Sequence, residues 1–229
     1  MKKVSVALFD FDGTLFSGHT LYGIVKYSIT HRYRFSSLLG YLVSHSLLFP
    51  LKKCKLISDE RFFASWGKDL AFIVGGLKQK AATELFSWIA EEYVFGRLRP
   101  DMMDILRHHQ SQGQMVVLLS GTFHKLLEAV GQRLGISYVV GTRLEMVDGE
   151  YSGKIVSPFC FGINKVNLFK ELMKASQLDI DFSSSFAYSD SISDIPLLEM
   201  VGNPVAAYPD KQLCHLALQR GWQLIENNK

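Results

Sequence analysis

Two aspartates stand two residues apart near the start of the chain, directly after an apolar run. The run 4–9 predicts a buried strand, and Asp10 and Asp12 follow it, with Gly13 and Thr14 next. Because side chains alternate along a strand, both carboxylates are expected to point the same way. Clustered carboxylates repel one another unless a cation or a proton lies between them, and Mg²⁺ prefers carboxylate oxygens together with substrate phosphate. The pattern therefore favours a Mg²⁺ site that handles a phosphate group.

Such a pair alone is also typical of a polar strand end or a helix cap, so the interpretation depends on the rest of the chain. A second apolar run, 116–119, ends in Ser120, Gly121 and Thr122, and a helical pattern follows it. A small hydroxyl group with backbone N–H groups at a helix N-terminus forms an anion site. The alternative is that Ser120 or Thr122 serves only as an N-cap residue.

Two further charged features come later in the chain. Lys165 lies at the predicted start of a helix, where a cation opposes the helix dipole. A charge that is unfavourable for its own helix is typical of a functional site. The alternative is that Lys165 is an ordinary solvated lysine on the surface. The run 185–189 predicts a strand, and Asp190 and Asp194 follow it, one helical turn apart on one face of a predicted helix. Such an acid pair destabilises a helix unless a counter-charge is present, although Asp190 could simply cap the helix.

Taken together and in this order, the four features resemble the motifs of the haloacid dehalogenase superfamily, in its phosphoserine-phosphatase-like branch, subfamily IB. The motifs are DxDGT at 10–14, Ser-Gly-Thr at 120–122, Lys165, and DSxxD at 190–194. The resemblance covers essentially the whole chain and implies an α/β fold. This would be a Rossmann-like, doubly wound parallel sheet with an inserted helical cap of the C1 type. The resemblance places the core at 1–16 and 98–229 and the cap at 17–97.

The resemblance also implies Mg²⁺-dependent hydrolysis of phosphomonoesters. Asp10 is expected to be the nucleophile that forms an aspartyl-phosphate. Asp12 is expected to protonate the leaving alcohol and then to activate water. The metal ligands implied are Asp10, Asp190 and the backbone carbonyl of Asp12. This chemistry agrees with the residue types, because carboxylates can accept a phosphoryl group and also act as acids and bases.

The remaining motif residues are implied to bind the phosphate or to support the site. Ser120 and the Gly121 N–H group are expected to hold phosphoryl oxygens, and Lys165 to neutralise the nucleophile and the transferring group. Thr14 is grouped with these phosphate-binding residues and is expected to steady its own loop, 10–14, or Asp12. Asp194 is expected to orient Lys165 or a water on the metal.

Two positions depart from the family pattern. Ser189 stands where many relatives have a glycine before the motif aspartate. In phosphoserine phosphatases a glutamate nine residues after the nucleophile binds the substrate ammonium, and here that position is His19. Because an imidazole is a poor partner for an ammonium group, phosphoserine is a doubtful substrate. We expect another small phosphorylated metabolite, with His19 as a substrate contact from the cap.

Composition limits the protein class. The 229 residues, 48% hydrophobic, suffice for one α/β core and a small cap. No uninterrupted apolar run reaches 18 residues, and the sequence runs from its start directly into a predicted strand, so neither a transmembrane helix nor a signal peptide is expected. The three cysteines are widely spaced and form no metal motif, which fits the reducing cytoplasm. The net charge of +3 gives no support for nucleic-acid binding. The sequence does not indicate the oligomeric state.

The apolar segment 38–51 is flanked by basic residues, Arg32 and Arg34 before it and three lysines at 52, 53 and 55 after it. It either packs inside the cap or meets an anionic membrane or a lipid tail. Lipid-phosphate phosphatases of the phosphatidylglycerophosphatase type resemble the chain in this feature, which keeps such an enzyme as an alternative. Two further alternatives are a phosphotransferase and a non-catalytic module that docks on membranes or binds phosphate. His108 and His109 are expected on the exposed side of a helix.

Overall fold

The computed structural model describes residues 3–226 apart from 49, 51, 52, 55, 58–61, 63, 64, 66 and 157. Within these residues the strands are β1 Val6–Asp10, β2 Met115–Phe123, β3 Tyr138–Thr142, β4 Leu144–Val147, β5 Glu150–Ile155, β6 Phe186–Ser189, β7 Asn203–Ala207 and β8 Gln223–Ile225. Six of them form one parallel sheet in the order β3-β2-β1-β6-β7-β8, and β4 and β5 pair as an antiparallel hairpin. The strand order changes direction at β1, as in a doubly wound sheet.

Helices connect and cover these strands. In the described residues they are α1 Thr20–Thr30, α2 Phe35–Ser46, α3 Gln79–Ile89, α4 Pro100–Ser111, α5 His124–Leu134, α6 Ile163–Ala175, α7 Ile195–Leu198 and α8 Lys211–Arg220. Short 3₁₀ turns occur at Leu70–Val74, Phe95–Arg97, Phe182–Ser184 and Ile192–Asp194, with a π turn at Ala90–Val94.

The central strand β1 is buried on both faces, as expected for a parallel sheet covered by helices. Its side chains alternate between two apolar clusters. Ala7 and Phe9 belong to one cluster, and Val6 and Leu8 to the other. This two-sided core confirms the predicted α/β fold.

The helical segment, residues 17–97, lies between β1 and α4. The chain leaves and re-enters the core side by side, because Phe16 and Leu98 form an antiparallel bridge. The Ser17 N–H donates to the Arg97 carbonyl at 2.9 Å. The segment packs through apolar side chains that join the core cluster containing Phe9, among them Ile24, Leu85, Phe86 and Ile89.

Two local expectations are corrected. The sequence alternates from 138 to 156 around Asp148 and Gly149, which predicts a hairpin over the whole run, but Tyr138–Thr142 is instead buried beside β2 in the main sheet. The hairpin is limited to β4 and β5, where Asp148 and Gly149 make the turn with positive φ values of 52° and 81°. His109 is also not exposed, because it is buried against Tyr188 of β6.

The apolar segment 38–51 falls mostly on α2, and positions 49 and 51 lie outside the described residues. None of the helices in the described part of the chain has both the length and the apolar character needed to cross a bilayer.

Candidate active site

The register of the sheet brings three of the predicted motifs to one edge. Asp10 pairs with Leu119 in the parallel β1–β2 ladder, so Ser120 lies immediately beyond the end of this pairing. On the other side Phe9 pairs with Tyr188, which places Asp190 just past the end of β6. The carboxyl edge at a point where strand order changes is where α/β proteins bind ligands.

Lys165 lies in the first turn of α6, as expected, but it is buried rather than solvated. Its ammonium group is 2.6 Å from Asp10 Oδ1 and 2.6 Å from Asp194 Oδ2. The Ser189 hydroxyl donates to the same Asp194 oxygen at 2.6 Å. Burial alone would lower the pKa of Lys165, but the Asp10 and Asp194 carboxylates outweigh it and hold this pKa above its usual value. The lysine is therefore a fixed cation beside Asp10.

Asp190 and Asp194 do not share a helix face. Asp190 precedes the 3₁₀ turn Ile192–Asp194, and Asp194 ends that turn just before α7. The tighter turn aims Asp194 at Lys165 and leaves Asp190 free to face Asp10, so the two acids have different neighbours. Lys165 is the counter-charge that the acid pair required.

Thr14 links Asp10 with Asp190. Its hydroxyl lies 3.0 Å from Asp10 Oδ2 and 3.3 Å from Asp190 Oδ1. Gly13, with φ +87°, permits this approach, since a Cβ atom there would stand 2.1 Å from Asp190 Oδ2. The turn thus requires glycine both for its backbone conformation and for space.

Asp12 is held by donors from two different parts of the chain. The Thr20 backbone N–H at the start of α1 donates to Oδ1 at 2.7 Å, and the Thr20 hydroxyl lies 3.3 Å from Oδ2. The Ser120 hydroxyl also donates to Oδ2, at 3.1 Å. Burial raises the pKa of Asp12, while the nearby His19 and these hydrogen bonds act against the rise. A carboxyl group with this environment can both hold and release a proton.

The Ser-Gly-Thr motif forms an irregular part of β2. Between Leu119 and Phe123 the register with β3 shifts, so the motif residues project out of regular pairing at the sheet edge. The Thr142 hydroxyl fixes the Gly121 carbonyl at 2.7 Å, and the Thr122 N–H donates to the Ser120 hydroxyl at 3.1 Å. This places Ser120 and Gly121 next to the two N-terminal aspartates.

These groups open onto a cleft of about 910 Å³. Among the predicted residues, those that line it are Asp10, Asp12, His19, Ser120, Gly121, Lys165, Asp190 and Asp194. The cleft also has an apolar side, which includes Phe159, Phe161 and Ile163. His19, just before α1, is exposed at this cleft.

Two residues that the sequence reasoning missed hold the site in place. Thr20 binds Asp12 and contacts Thr122 through its hydroxyl, and its place at the start of α1, directly before an apolar run, was a usable signal. Arg99 donates to the Gly13 carbonyl at 3.3 Å and stacks on Tyr208, with its guanidinium carbon 3.5 Å from the ring centre. No local pattern distinguishes Arg99 from the neighbouring exposed arginine.

The donor groups at the sheet edge fit Mg²⁺. Burial, together with the charges of Asp10 and Asp194, raises the pKa of Asp190, which marks negative charge that Lys165 does not fully neutralise. Among the described residues no three His, Cys, Asp or Glu side chains group as ligands of one metal. Mg²⁺ does not need such a group, since one or two carboxylates with water and substrate phosphate complete its shell.

Comparisons with known proteins agree with this arrangement. The family model for haloacid dehalogenase-like hydrolases matches residues 7–199. Phosphoserine phosphatase SerB1 of Mycobacterium tuberculosis is 30% identical over 227 residues, covering 96% of this chain and 70% of that protein. Histidinol-phosphatase of Neisseria meningitidis is 28% identical over 161 residues, covering 68% of this chain and 72% of that protein.

Solved structures show the same fold. A Bordetella pertussis protein of unknown function superposes with a TM-score of 0.83 at 23% identity, covering 98% of this chain and 99% of the other. A phospho-aspartyl intermediate analogue of phosphoserine phosphatase gives 0.64 at 16% identity, covering 100% and 95%. The predicted enzyme class is confirmed by these relatives, and with its motifs gathered at one sheet edge the chain belongs to the haloacid dehalogenase-like hydrolase family.

Proposed function

We propose that this protein is a Mg²⁺-dependent phosphomonoester hydrolase that works through an aspartyl-phosphate on Asp10. The observation that carries the proposal is the environment of Asp10. One of its oxygens lies 2.6 Å from the Lys165 ammonium and the other 3.0 Å from the Thr14 hydroxyl. The carboxylate is thus oriented at the bottom of a cleft that also contains Asp12 and Ser120.

In the first step an Asp10 carboxylate oxygen attacks phosphorus, and the bond from phosphorus to the substrate oxygen breaks. Asp12 gives its proton to the departing alkoxide, so that a neutral alcohol leaves. The raised pKa of Asp12 favours the protonated form that this step needs. Lys165 and the Gly121 N–H group stabilise negative charge on the transferring group.

In the second step Asp12, now a carboxylate, takes a proton from water. The water oxygen attacks phosphorus, and the bond between phosphorus and Asp10 breaks. Inorganic phosphate leaves, and Asp10 and Asp12 return to their starting states. Because one residue acts as acid and then as base, the hydrogen bonds from Thr20 and Ser120 that fix its position serve both steps.

Asp10, Asp190 and the Asp12 backbone carbonyl would hold the metal, whose charge would offset the phosphoryl oxygens. Thr14 keeps Asp10 and Asp190 in place for this role. Asp194 positions Lys165.

The helical segment 17–97 would act as the cap, with the core at 1–16 and 98–229. The side-by-side chain crossings at Phe16 and Leu98 support this division, since they concentrate the two connections at one place. A cap that closes over the cleft would exclude water during phosphoryl transfer and select the substrate.

We infer a small phosphorylated metabolite as substrate. His19 is exposed at the cleft where an ammonium ligand would need an acid, which disfavours phosphoserine. A second candidate is a lipid phosphate, favoured by the apolar cleft wall formed by Phe159, Phe161 and Ile163.

Phosphate release from a panel of phosphomonoesters, with and without Mg²⁺, tests the proposal. The panel runs from an aryl phosphate through phosphoserine and sugar phosphates to lysophosphatidate and phosphatidylglycerophosphate, with Asp10→Asn as the blank. We expect Mg²⁺-dependent release that is lost in the blank. Equal release by the wild type and Asp10→Asn would reject the proposed nucleophile, and the preferred substrate would decide between a metabolite and a lipid.

A further inference from the structure

The first part of the helical segment has an unusual charge distribution. Residues 17–58 contain no Asp or Glu and six Lys or Arg, whereas the whole chain carries a net charge of only +3. The rest of the chain is therefore net acidic. Among these basic residues, Lys26, Arg32, Arg34 and Lys53 are exposed in the described part of the segment. Residues 17–58 thus carry positive charge that no acidic residue within this range compensates.

Helix α2 lies in the middle of this segment and is apolar on two faces. Leu38, Tyr41 and His45 face inward and are buried. The other face carries Phe35, Leu39 and Val43, spaced four residues apart, and Leu47 directly after the helix continues the row. These four side chains, which we call the α2 stripe, are 53%, 52%, 52% and 70% exposed.

Single exposed apolar residues are normal, but a row along one helix is typical of an interaction surface. Exposed basic residues flank this row in the sequence, Arg32 and Arg34 before it and Lys53 after it. An apolar helix face with basic flanks fits a membrane interface, where apolar side chains enter between headgroups and cations meet anionic lipids. A second copy is disfavoured as occupant, because two surfaces of the same positive sign repel each other.

We propose that the α2 stripe and its basic flanks dock this protein on an anionic membrane surface. The stripe lies in the plane of the interface, and the helix does not cross the bilayer. The docking surface lies outside the catalytic residues, so the proposal does not depend on the hydrolytic mechanism and applies equally to a soluble or a lipid substrate.

Binding to lipid vesicles tests the proposal with the full chain. We expect co-sedimentation with vesicles of phosphatidylglycerol and phosphatidylcholine, weak binding to pure phosphatidylcholine, and a loss of binding as salt screens the basic flanks. The variant Leu39→Glu/Val43→Glu places two carboxylates in the stripe and is expected to lower the vesicle partition coefficient about tenfold or more. Because both side chains are exposed, hydrolysis of a water-soluble aryl phosphate is expected to stay at the wild-type rate.

The matched control is Val147→Glu/Leu218→Glu, which makes the same charge change at two exposed apolar residues outside the helical segment. It is expected to bind vesicles nearly as well as the wild type. Equal losses in both variants, or no binding of the wild type to anionic vesicles, would overturn the proposal. So would light scattering in which the wild type is a dimer and the stripe variant a monomer without any vesicle binding, because the stripe would then join two copies.

Discussion

At the residue scale, the proposed chemistry depends on a lysine that is buried between two carboxylates. Lys165 was identifiable from its place at a helix start, where a cation opposes the dipole. Its two partners were implied only by the family resemblance, because no local pattern predicts contacts with distant parts of the chain, Asp10 from β1 and Asp194 from the turn before α7. The three charges form one unit, in which each member leaves an unpaired buried charge if it is removed alone.

Replacing Lys165 with methionine is expected to abolish turnover and to lower stability. Asp10 and Asp194 would then face each other in the core without their cation, and breaking a buried pair costs about 3–5 kcal/mol. Thermal unfolding and phosphate release measure the two effects. Lys170→Met, at an exposed position of the same helix, is the control and should change neither. A Lys165→Met protein as stable and active as the control would contradict the account.

A second buried group links α4 with β6. His109 lies 2.7 Å from the Tyr188 hydroxyl, and burial lowers its pKa from the usual 6.5. As pH falls below about 6.5 the unfolded chain takes up a proton that the folded protein resists, so stability is lost with falling pH. The sequence does hold a signal that separates His109 from the exposed His108, since His109 continues the helical spacing of Met102 and Leu106 on the buried stripe of α4.

We therefore expect the free energy of unfolding to fall less steeply between pH 7.5 and about 5.5 in His109→Gln than in the wild type. Glutamine can still bond to Tyr188 but does not titrate. Denaturant titrations across this pH range measure the slope, and His108→Gln should keep the wild-type slope. Identical slopes for all three proteins would show that His109 does not remain neutral in the core.

At the element scale, the sheet explains why distant motifs meet. The strand–motif pairs could be predicted because each motif follows an apolar run, and parallel strands end at one edge. The 3₁₀ turn after Asp190 could not, since a spacing of four also fits an α-helix. The same limit applies to β3, whose residues alternate like a hairpin strand but are buried beside β2. Local sequence patterns therefore predict whether a segment is a strand or a helix better than they predict which element it packs against.

The turn at Gly13 gives a prediction at this scale. Gly13→Ala is expected to reduce kcat at least about a hundredfold, because the new methyl group would stand 2.1 Å from Asp190 Oδ2 and displace it. Gly149→Ala is the matched control, since it has a similar φ of +81° but no atom within 4 Å of the added carbon. Both variants should lose similar stability through backbone strain. Comparable activity losses in the two would show that strain, and not the position of Asp190, controls the rate.

At the scale of the whole molecule, described residues of the helical segment contact both the proposed general acid and the cleft wall. Thr20 bonds to Asp12, and Gly67 lies against Phe159. The same ring atom of Phe159 would be 3.2 Å from a Cβ atom on Gly121. Movement of the helical segment would therefore displace both Asp12, the proposed general acid, and the loop at Ser120 and Gly121. Such coupling was not predictable from the sequence, because it involves residues without a motif.

A methyl group at position 67 tests this coupling. In Gly67→Ala the added carbon would stand 2.1 Å from Phe159 Cζ, so the ring or the segment must shift. We expect kcat/KM to fall about tenfold with little change in the unfolding temperature. Gly96→Ala, in the same segment and with open space around the added carbon, should behave as the wild type. Equal kcat/KM values for the two variants would show that the contact between Gly67 and Phe159 does not influence catalysis.

The most direct test of an aspartyl-phosphate on Asp10 is to trap the phosphorylated side chain. The protein is mixed with substrate and Mg²⁺, quenched in acid and reduced with borohydride, which converts an aspartyl-phosphate to homoserine. Peptide mass spectrometry then reads the modified position. The account predicts homoserine at position 10 of the wild type and none in Asp10→Asn. Turnover with no reduction product at position 10, or with the product at another aspartate, would contradict it.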